Sequence, residues 1–121
     1  MSETLDVLAA FTDAVRSGRP VVLATIVRAK GSTPRGVGSR MAIEPDGEAV
    51  GTVGGGCGEA QVLEEARAAL GAGRARLVRV DLTEDLYSWS PAICGGVFDV
   101  LLEPWSPART PGTRGPRFEV E

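Results

Sequence analysis

The residues with the clearest chemical potential lie in a glycine-rich loop that contains a cysteine. Residues 51–59 read GTVGGGCGE, so a strand-like segment runs through three consecutive glycines into Cys57 and the start of a helix. Backbone N–H groups at a helix start, together with the positive end of the helix dipole, can bind an anion. The same position favours the thiolate form of Cys57. The segment therefore predicts a ligand site, with a small buried cysteine beside a tight turn as the structural alternative.

A second loop with binding potential covers residues 29–38, AKGSTPRGVG, and follows an apolar, strand-like run. Its glycines allow backbone conformations that other residues resist. Ser32, Thr33 and Arg35 add hydrogen-bond donors, and a planar guanidinium can bind an anionic group through two hydrogen bonds. A glycine-rich crossover between two strands is the alternative interpretation.

Cys94, Gly95 and Gly96 form a third motif just before the last apolar strand. The two thiols of the chain could form a redox pair or share a soft ligand. Alternatively, Cys94 lies in the core and the glycines form a bulge. Because loops 29–38 and 54–59 both leave strands, we predict that they meet at one edge of the sheet and form a single anion pocket.

Composition restricts the chemistry further. Histidine is absent, which excludes His–Ser and His–Cys catalysis and most zinc sites. A net charge of −3 argues against nucleic acid as a partner. No Lys-Ser/Thr pair follows the triple glycine, so a P-loop is rejected. No apolar run reaches the roughly 20 residues that span a bilayer. Two cysteines cannot form a disulfide framework, and we expect a cytoplasmic protein with free thiols.

The elements that must position these loops follow from hydrophobic periodicity. Strand patterns cover residues 21–27, 39–44, 48–53, 74–82 and 97–102, and helical patterns cover the segment from Ser2 to Gly18 and residues 59–70, with Gly71 as the stop. The first helix repeats Leu5, Leu8, Phe11 and Val15, and the second is predicted to turn Val62, Leu63, Ala66, Ala69 and Leu70 inward. We predict an α/β fold in the order α-β-β-β-α-β-β, with a small mixed sheet of about five strands and two covering helices.

The end of the chain differs from the rest in composition. Residues 105–121 contain three prolines, two glycines and three arginines. We predict a domain over residues 1–104, followed by a Pro/Arg-rich tail or linker at 105–121 without regular secondary structure, because so few apolar residues cannot offset the ordering entropy. A sheet that only two helices cover also predicts a homo-oligomer.

Three motifs together resemble those of a known family. GSTPRGVGSRM at residues 31–41, GTVGGGCGE at 51–59 and CGG before a strand that begins VFDV at 94–100 resemble, in this order, the N-terminal domain of the XdhC/CoxI family. The resemblance covers roughly residues 5–104. It implies a molybdenum cofactor chaperone rather than an enzyme, one that binds the cofactor (molybdopterin) transiently, protects it during sulfuration by a cysteine desulfurase, and delivers it to a xanthine dehydrogenase or carbon monoxide dehydrogenase type apo-enzyme.

The resemblance also implies site residues and partners. The predicted cofactor-binding residues are Ser32, Thr33, Arg35, Gly54, Gly55, Gly56, Cys57, Glu59, Cys94, Gly95 and Gly96, with Cys57 as the candidate molybdenum ligand. The expected partners are the molybdenum hydroxylase apo-enzyme and the cysteine desulfurase. Typical members carry a Rossmann-type domain downstream. We expect that domain to be absent from this chain, so that either another polypeptide supplies it or this is a minimal form of the family.

Other classes of function fit some of the same residues. A nucleotide-binding or phosphate-binding regulatory module could use the glycine loops for an ordinary phosphate. A thiol redox protein would need the Cα atoms of Cys57 and Cys94 within about 7 Å of each other. An interaction-only protein could use the glycine loops purely as structure.

Overall fold

The computed structural model describes residues 3–46, 48–53, 58–83, 95–107 and 118–120 of the 121-residue chain. In chain order the elements are α1 (Glu3–Arg16), β1 (Val21–Lys30), β2 (Arg40–Ile43), β3 (Ala49–Gly51), α2 (Glu59–Ala72), β4 (Ala75–Asp81), β5 (Val97–Trp105) and β6 (Phe118–Val120). The predicted α/β class and the predicted order through β5 are confirmed. Neither described helix has the length and apolar character of a transmembrane span.

The strands form one sheet in the order β3-β2-β1-β5-β4-β6. All neighbours from β3 to β4 are antiparallel, and β6 pairs with β4 in parallel. The two longest strands, β1 and β5, lie next to each other in the middle, where both faces of a sheet can be buried. This placement agrees with the nearly uninterrupted apolar run at the start of β1.

Helix α2 covers one face of the sheet over β1, β5 and β4. Its buried residues are Val62, Ala66 and Ala69, while Leu63 and Leu70 are partly buried against the same cluster. All five were predicted to point inward. The sheet contributes its buried apolar residues from four strands, among them Ala24, Ile26, Met41, Val78, Val100 and Leu102. The small side chains of α2 let the helix pack closely on this layer.

Helix α1 covers the opposite face, over β1, β2 and β3. Its fully buried residues are Val7 and Ala14, whereas Leu5 is 58% exposed and Leu8 38% exposed. The predicted helix is confirmed, but the Leu5–Leu8 part of its apolar repeat points away from the sheet. The spacing of seven residues between Val7 and Ala14 is the one that faces the core.

The end of the chain differs from the prediction. Phe118–Val120 form a strand, with Phe118 opposite Ala75 and Val120 opposite Leu77. The prediction of no regular structure within residues 105–121 is therefore wrong at this strand and at Trp105, which ends β5. Without β6, β4 would be an edge strand with unpaired backbone groups, and pairing satisfies them. The assignment of 105–121 as a tail or linker stays a prediction.

Candidate functional site

One end of the sheet brings two of the predicted motifs together. Lys30 at the end of β1 lies opposite Val97 at the start of β5, and Val97 lies opposite Asp81 at the end of β4. The loop that follows β1 and the glycines that precede β5 must therefore start from the same end of the sheet. This is where a strand-end ligand site is expected.

Gly96 packs closely against the backbone of the loop that follows β1. A Cβ built on Gly96 would lie 2.6 Å from the carbonyl oxygen of Lys30 and 2.8 Å from that of Ser32. Both oxygens belong to backbone, so no side chain can rotate away, and only glycine fits. The carbonyl oxygen of Gly96 also accepts a hydrogen bond of 2.9 Å from the backbone N–H of Leu82. Backbone contact thus fixes the start of loop 31–38 against Gly95–Gly96 and the end of β4.

The start of α2 lies at the same end of the sheet. Gly58 adopts a left-handed conformation with φ 77°, and a Cβ there would lie 2.5 Å from Cγ1 of Val80 and 3.6 Å from Cζ of Phe98. Phe98 and Val80 face each other across β5 and β4, next to the strand ends that carry Gly96 and Leu82. The described end of loop 54–59 therefore lies at the same end of the sheet as loop 29–38, as predicted.

Glu59, a predicted binding residue, already has a partner in the chain. The hydroxyl of Thr52 donates a 2.6 Å hydrogen bond to Oε2 of Glu59, across the loop that joins β3 to α2. A carboxylate in the first helical turn also interacts favourably with the helix dipole. No side chain caps the helix at Gly58. Glu59 consequently closes the loop and stabilises the helix start.

The polar residues of loop 31–38 are accessible. The hydroxyl of Thr33 donates a 3.0 Å hydrogen bond to the carbonyl oxygen of Arg35, and Ser32 is exposed. Nη1 of Arg35 lies 3.5 Å from Oε1 of Glu3 on α1, and the two side chains are 44% and 47% exposed. An exposed pair at this distance contributes little to stability. Arg35 can therefore exchange Glu3 for a bound anion at small cost.

The remaining predicted site residues are Gly54, Gly55, Gly56, Cys57 and Cys94, and they lie outside the described residues. The prediction of a thiol pair and the candidate molybdenum ligand fall on these positions. Within the described ranges, no group of three or more Asp, Glu, Cys or His side chains could hold a metal ion. In the described part of the site, the carboxylate of Glu59 is hydrogen-bonded to Thr52. The hydroxyls of Ser32 and Thr33 and the guanidinium of Arg35 are groups that can bind an anion.

A charged row beside this site did not follow from the sequence pattern. Arg28 of β1, Asp99 of β5 and Arg79 of β4 lie opposite one another across three strands. Asp99 is only 8% exposed, and Nε of Arg79 donates a 3.0 Å hydrogen bond to its Oδ1. That hydrogen bond raises the pKa of Arg79 above the ordinary value of a guanidinium. The sequence pattern missed this row because it ended β1 at Val27, whereas the strand continues through Arg28 to Lys30.

Comparison with known proteins gives the family of this fold and site. The model of the XdhC and CoxI family matches residues 14–81, which include loop 31–38 and the β3–α2 loop. The molybdenum cofactor insertion chaperone PaoD of Escherichia coli is 40% identical over 67 residues, covering 55% of this chain and 21% of PaoD. The uncharacterized protein YqeB of Escherichia coli is 35% identical over 95 residues, covering 76% of this chain and 17% of YqeB.

A solved structure is similar as well. The match is a crystal structure of a xanthine dehydrogenase from Bacillus halodurans, with a TM-score of 0.69 and 34% sequence identity. It covers 86% of this chain and 30% of that one. This chain therefore spans about a fifth of the length of the two curated relatives and under a third of the solved chain.

Proposed function

Since this chain belongs to the XdhC and CoxI family, we propose that it binds molybdenum cofactor as cargo and assists its insertion into a molybdenum hydroxylase. PaoD, which matches over 55% of the chain, is a molybdenum cofactor insertion chaperone, and this supports the proposal. The structural similarity to a xanthine dehydrogenase-related chain supports a client of that class. The protein is proposed to act as a chaperone without catalysing a reaction of its own.

The observation that carries the proposal is the meeting of two predicted motifs at one end of the sheet. Gly96 lies in backbone contact with Lys30 and Ser32, and the start of α2 lies close by. Molybdenum cofactor offers anionic groups, a phosphate and a metal–oxo centre. The exposed guanidinium of Arg35 and the uncapped helix start are donors of the kind that bind such groups.

Two finer roles are proposed for the cysteines. Cys57 precedes α2, and a thiolate there would suit molybdenum or a transient persulfide during sulfuration by a cysteine desulfurase. Cys94 is proposed to have the smaller role in binding. The binding surface is proposed to include Ser32, Thr33, Gly54, Gly55, Gly56, Glu59 and Gly95 besides the residues already discussed.

The decisive experiment is to purify the protein from a host that makes molybdopterin and from an otherwise identical host that cannot. We expect the pterin and molybdenum to copurify with the protein from the first host only. The Arg35→Gln and Cys57→Ala variants should retain less of both, and Cys94→Ala should retain nearly the wild-type amount. A wild-type protein without pterin that instead binds nucleotides in titration would support the phosphate-binding regulatory module.

Delivery and assembly need separate measurements. Mixing cofactor-loaded protein with an apo molybdenum hydroxylase should restore activity to the hydroxylase, and adding a cysteine desulfurase with cysteine should increase the restored fraction if sulfuration is assisted. Light scattering across micromolar concentrations tests the proposed homo-oligomer. A separate chain with a Rossmann-type domain is the remaining proposed partner, and copurification with such a chain tests it.

A further inference from the structure

The sheet face that carries α1 also holds a cleft that is lined by residues of β1, β5 and β4. The cleft measures about 200 Å³ and is lined by Arg28, Lys30, Arg79, Val97 and Asp99. These residues lie on β1, β5 and β4, whereas α1 packs over β1, β2 and β3. None of the five is among the predicted cofactor-binding residues. The cleft adjoins the predicted site, because Lys30 is followed directly by Gly31 and Val97 is preceded directly by Gly96.

A β-bulge in β1 creates this cleft. Ile26 lies opposite Val100, but Arg28 lies opposite Asp99, so Val27 is an extra residue without a partner in β5. Ile26 and Val100 are buried under α2, and residues directly opposite share a face of the sheet. The bulge therefore moves Arg28 and Lys30 onto the other face, with Asp99 and Val97. Without it, strand alternation would place both cations in the apolar layer under α2.

The cations outnumber the carboxylates at this cleft. Asp99 accepts from Arg79, which orients that guanidinium along the row. Within the described part of the chain, Arg28 and Lys30 form no ion pair. The only other carboxylate on the adjoining rows of β5 and β4 is Asp81, opposite Val97, which accepts from the backbone N–H and the hydroxyl of Thr83. One buried acid thus holds one arginine in place and leaves two cations for an outside anion.

The size and lining of the cleft restrict what it can bind. Pockets for whole drug-sized ligands have volumes of roughly 300–1,000 Å³, so about 200 Å³ accommodates a small group rather than a nucleotide. Guanidinium groups match a tetrahedral oxyanion through paired hydrogen bonds, and an ammonium adds a point charge. Val97 adds an apolar contact beside these cations, which favours an anion that is attached to carbon over a free inorganic ion.

We infer that this cleft is a binding site for a phosphate monoester, with Arg28 and Lys30 binding the phosphate, Arg79 completing the cationic row and Asp99 serving as the positioning residue for Arg79. The inference stands on the bulge, the cleft and the charge balance, and it does not depend on the cofactor proposed above. It adds an anion site on the sheet face next to the glycine motifs, and Lys30 belongs to both this cleft and loop 29–38.

The test is an NMR titration of the protein with glycerol 3-phosphate at constant ionic strength, with glycerol as the uncharged control. We expect saturable shifts at residues 28, 30, 79 and 97, no comparable shifts with glycerol, and weaker binding of inorganic phosphate. Arg28→Gln and Lys30→Gln should each raise the Kd about tenfold, because each removes charge-assisted hydrogen bonds. Both side chains are exposed, so the variants should fold like wild type.

The matched control is Arg67→Gln, which removes the same charge from an exposed position on α2. It should leave the Kd within twofold of the wild-type value. Absence of saturable binding, unchanged binding in Arg28→Gln, or an equal loss in Arg67→Gln would each overturn the inference. Pterin retention by Arg28→Gln then identifies the source of the ester: a loss assigns it to molybdenum cofactor, and full retention assigns it to a different small molecule.

Discussion

The two faces of the sheet differ in how much of their surface is buried and apolar. Under α2, the buried apolar layer is continuous across β2, β1, β5 and β4. Under α1, the buried cluster is smaller and centres on Val7, Ala14, Val21 and Ala42. Beyond it, the same face carries the Arg28–Asp99–Arg79 row. The α2 face is therefore scaffold throughout, whereas the α1 face is scaffold on one side and charged surface on the other.

The difference follows from where each helix lies. Helix α2 lies over the central strands, and on that face β1 and β5 contribute six buried residues, Val22, Ala24, Ile26, Phe98, Val100 and Leu102. Helix α1 lies toward the β3 edge, so the rows of β5 and β4 on its face can remain hydrated and charged. A face without complete helical cover is where this fold can place ligand-binding side chains. Gly96, just before β5, and Gly58, at the start of α2, lie at the end of the sheet where the two faces meet.

The largest expected difference between the two faces is in the free energy of unfolding after substitution of two adjacent leucines. Leu102 is fully buried in the layer under α2, and its neighbour Leu101 lies on the other face, opposite Thr25 and Leu77. We expect Leu102→Ala to lower the free energy of unfolding by about 2–4 kcal/mol through lost burial and a cavity. Leu101→Ala should cost about 1 kcal/mol, because its site is already partly open.

Chemical unfolding of both variants beside wild type measures this difference. Each variant removes the same atoms, and the two differ only in the face from which the side chain is taken. Equal losses would show that the face with the charged row is packed as tightly as the one under α2, and the contrast between the faces would then fail.

Two adjacent glycines test the junction where the faces meet. An alanine at Gly96 would place its Cβ within 2.8 Å of two backbone oxygens, whereas a Cβ at Gly95 meets nothing within 4 Å. We expect Gly96→Ala to destabilise the fold by about 1–3 kcal/mol and to separate the loop after β1 from the start of β5. Gly95→Ala should change stability by less than about 0.5 kcal/mol.

Thermal unfolding gives the stabilities, and amide exchange at residues 31–33 reports whether the two segments separate. Increased exchange in Gly96→Ala with wild-type exchange in Gly95→Ala is the expected pattern. If Gly95→Ala disturbs the same amides as strongly, close backbone approach at Gly96 is not what fixes the junction.

The smallest expected effect is on the pKa of Asp81, which lies at the end of β4 on the face with the charged row. The hydroxyl and then the backbone N–H of Thr83 donate to Asp81 and lower the pKa of that carboxyl from its ordinary 3.8. A lowered folded-state pKa stabilises the fold above the unfolded value, and this contribution is lost as the pH falls through the folded-state pKa. Thr83→Ala should therefore raise the pKa of Asp81 and destabilise the protein slightly at neutral pH.

The pH dependence separates this effect from simple loss of a side chain. The stability difference between wild type and Thr83→Ala should shrink as the pH falls below 3.8, the ordinary value for Asp81. NMR titration of the carboxyl measures the pKa directly. In an Asp81→Asn background, Thr83→Ala should have no pH-dependent effect in this range, and a persistent one would assign the dependence to another group.

Much of the fold could be predicted because its signals are local. The periodicity of residues 59–70 correctly placed Val62, Ala66 and Ala69 inward on α2. Gly71 was predicted as the stop of α2, but the helix runs to Ala72 and Gly73 caps it in a left-handed conformation. Both glycines are local helix-end signals, and only the chain beyond the helix decides which of them adopts the left-handed conformation.

The site was predictable in its chemistry but only partly in its geometry. The glycines, Ser32, Thr33 and Arg35 could be identified because their side chains and backbone freedom are properties of the residues themselves. The partner of Glu59, in contrast, lies seven residues earlier, at Thr52, and only the tertiary structure shows that the two side chains are in contact. The Arg35–Glu3 contact likewise joins distant parts of the chain.

By itself the sequence determined the order of the elements, the apolar run at the start of β1, the buried side of α2 and the donor-rich character of the loops. Only the tertiary structure decided which side of α1 is buried, where β6 pairs and that β1 bulges at Val27. The physical reason is range: periodicity and turn chemistry act over a few residues, whereas strand register is a balance of contacts between distant segments. The bulge at Val27 is of the second kind, and it places Arg28 and Lys30 beside Asp99.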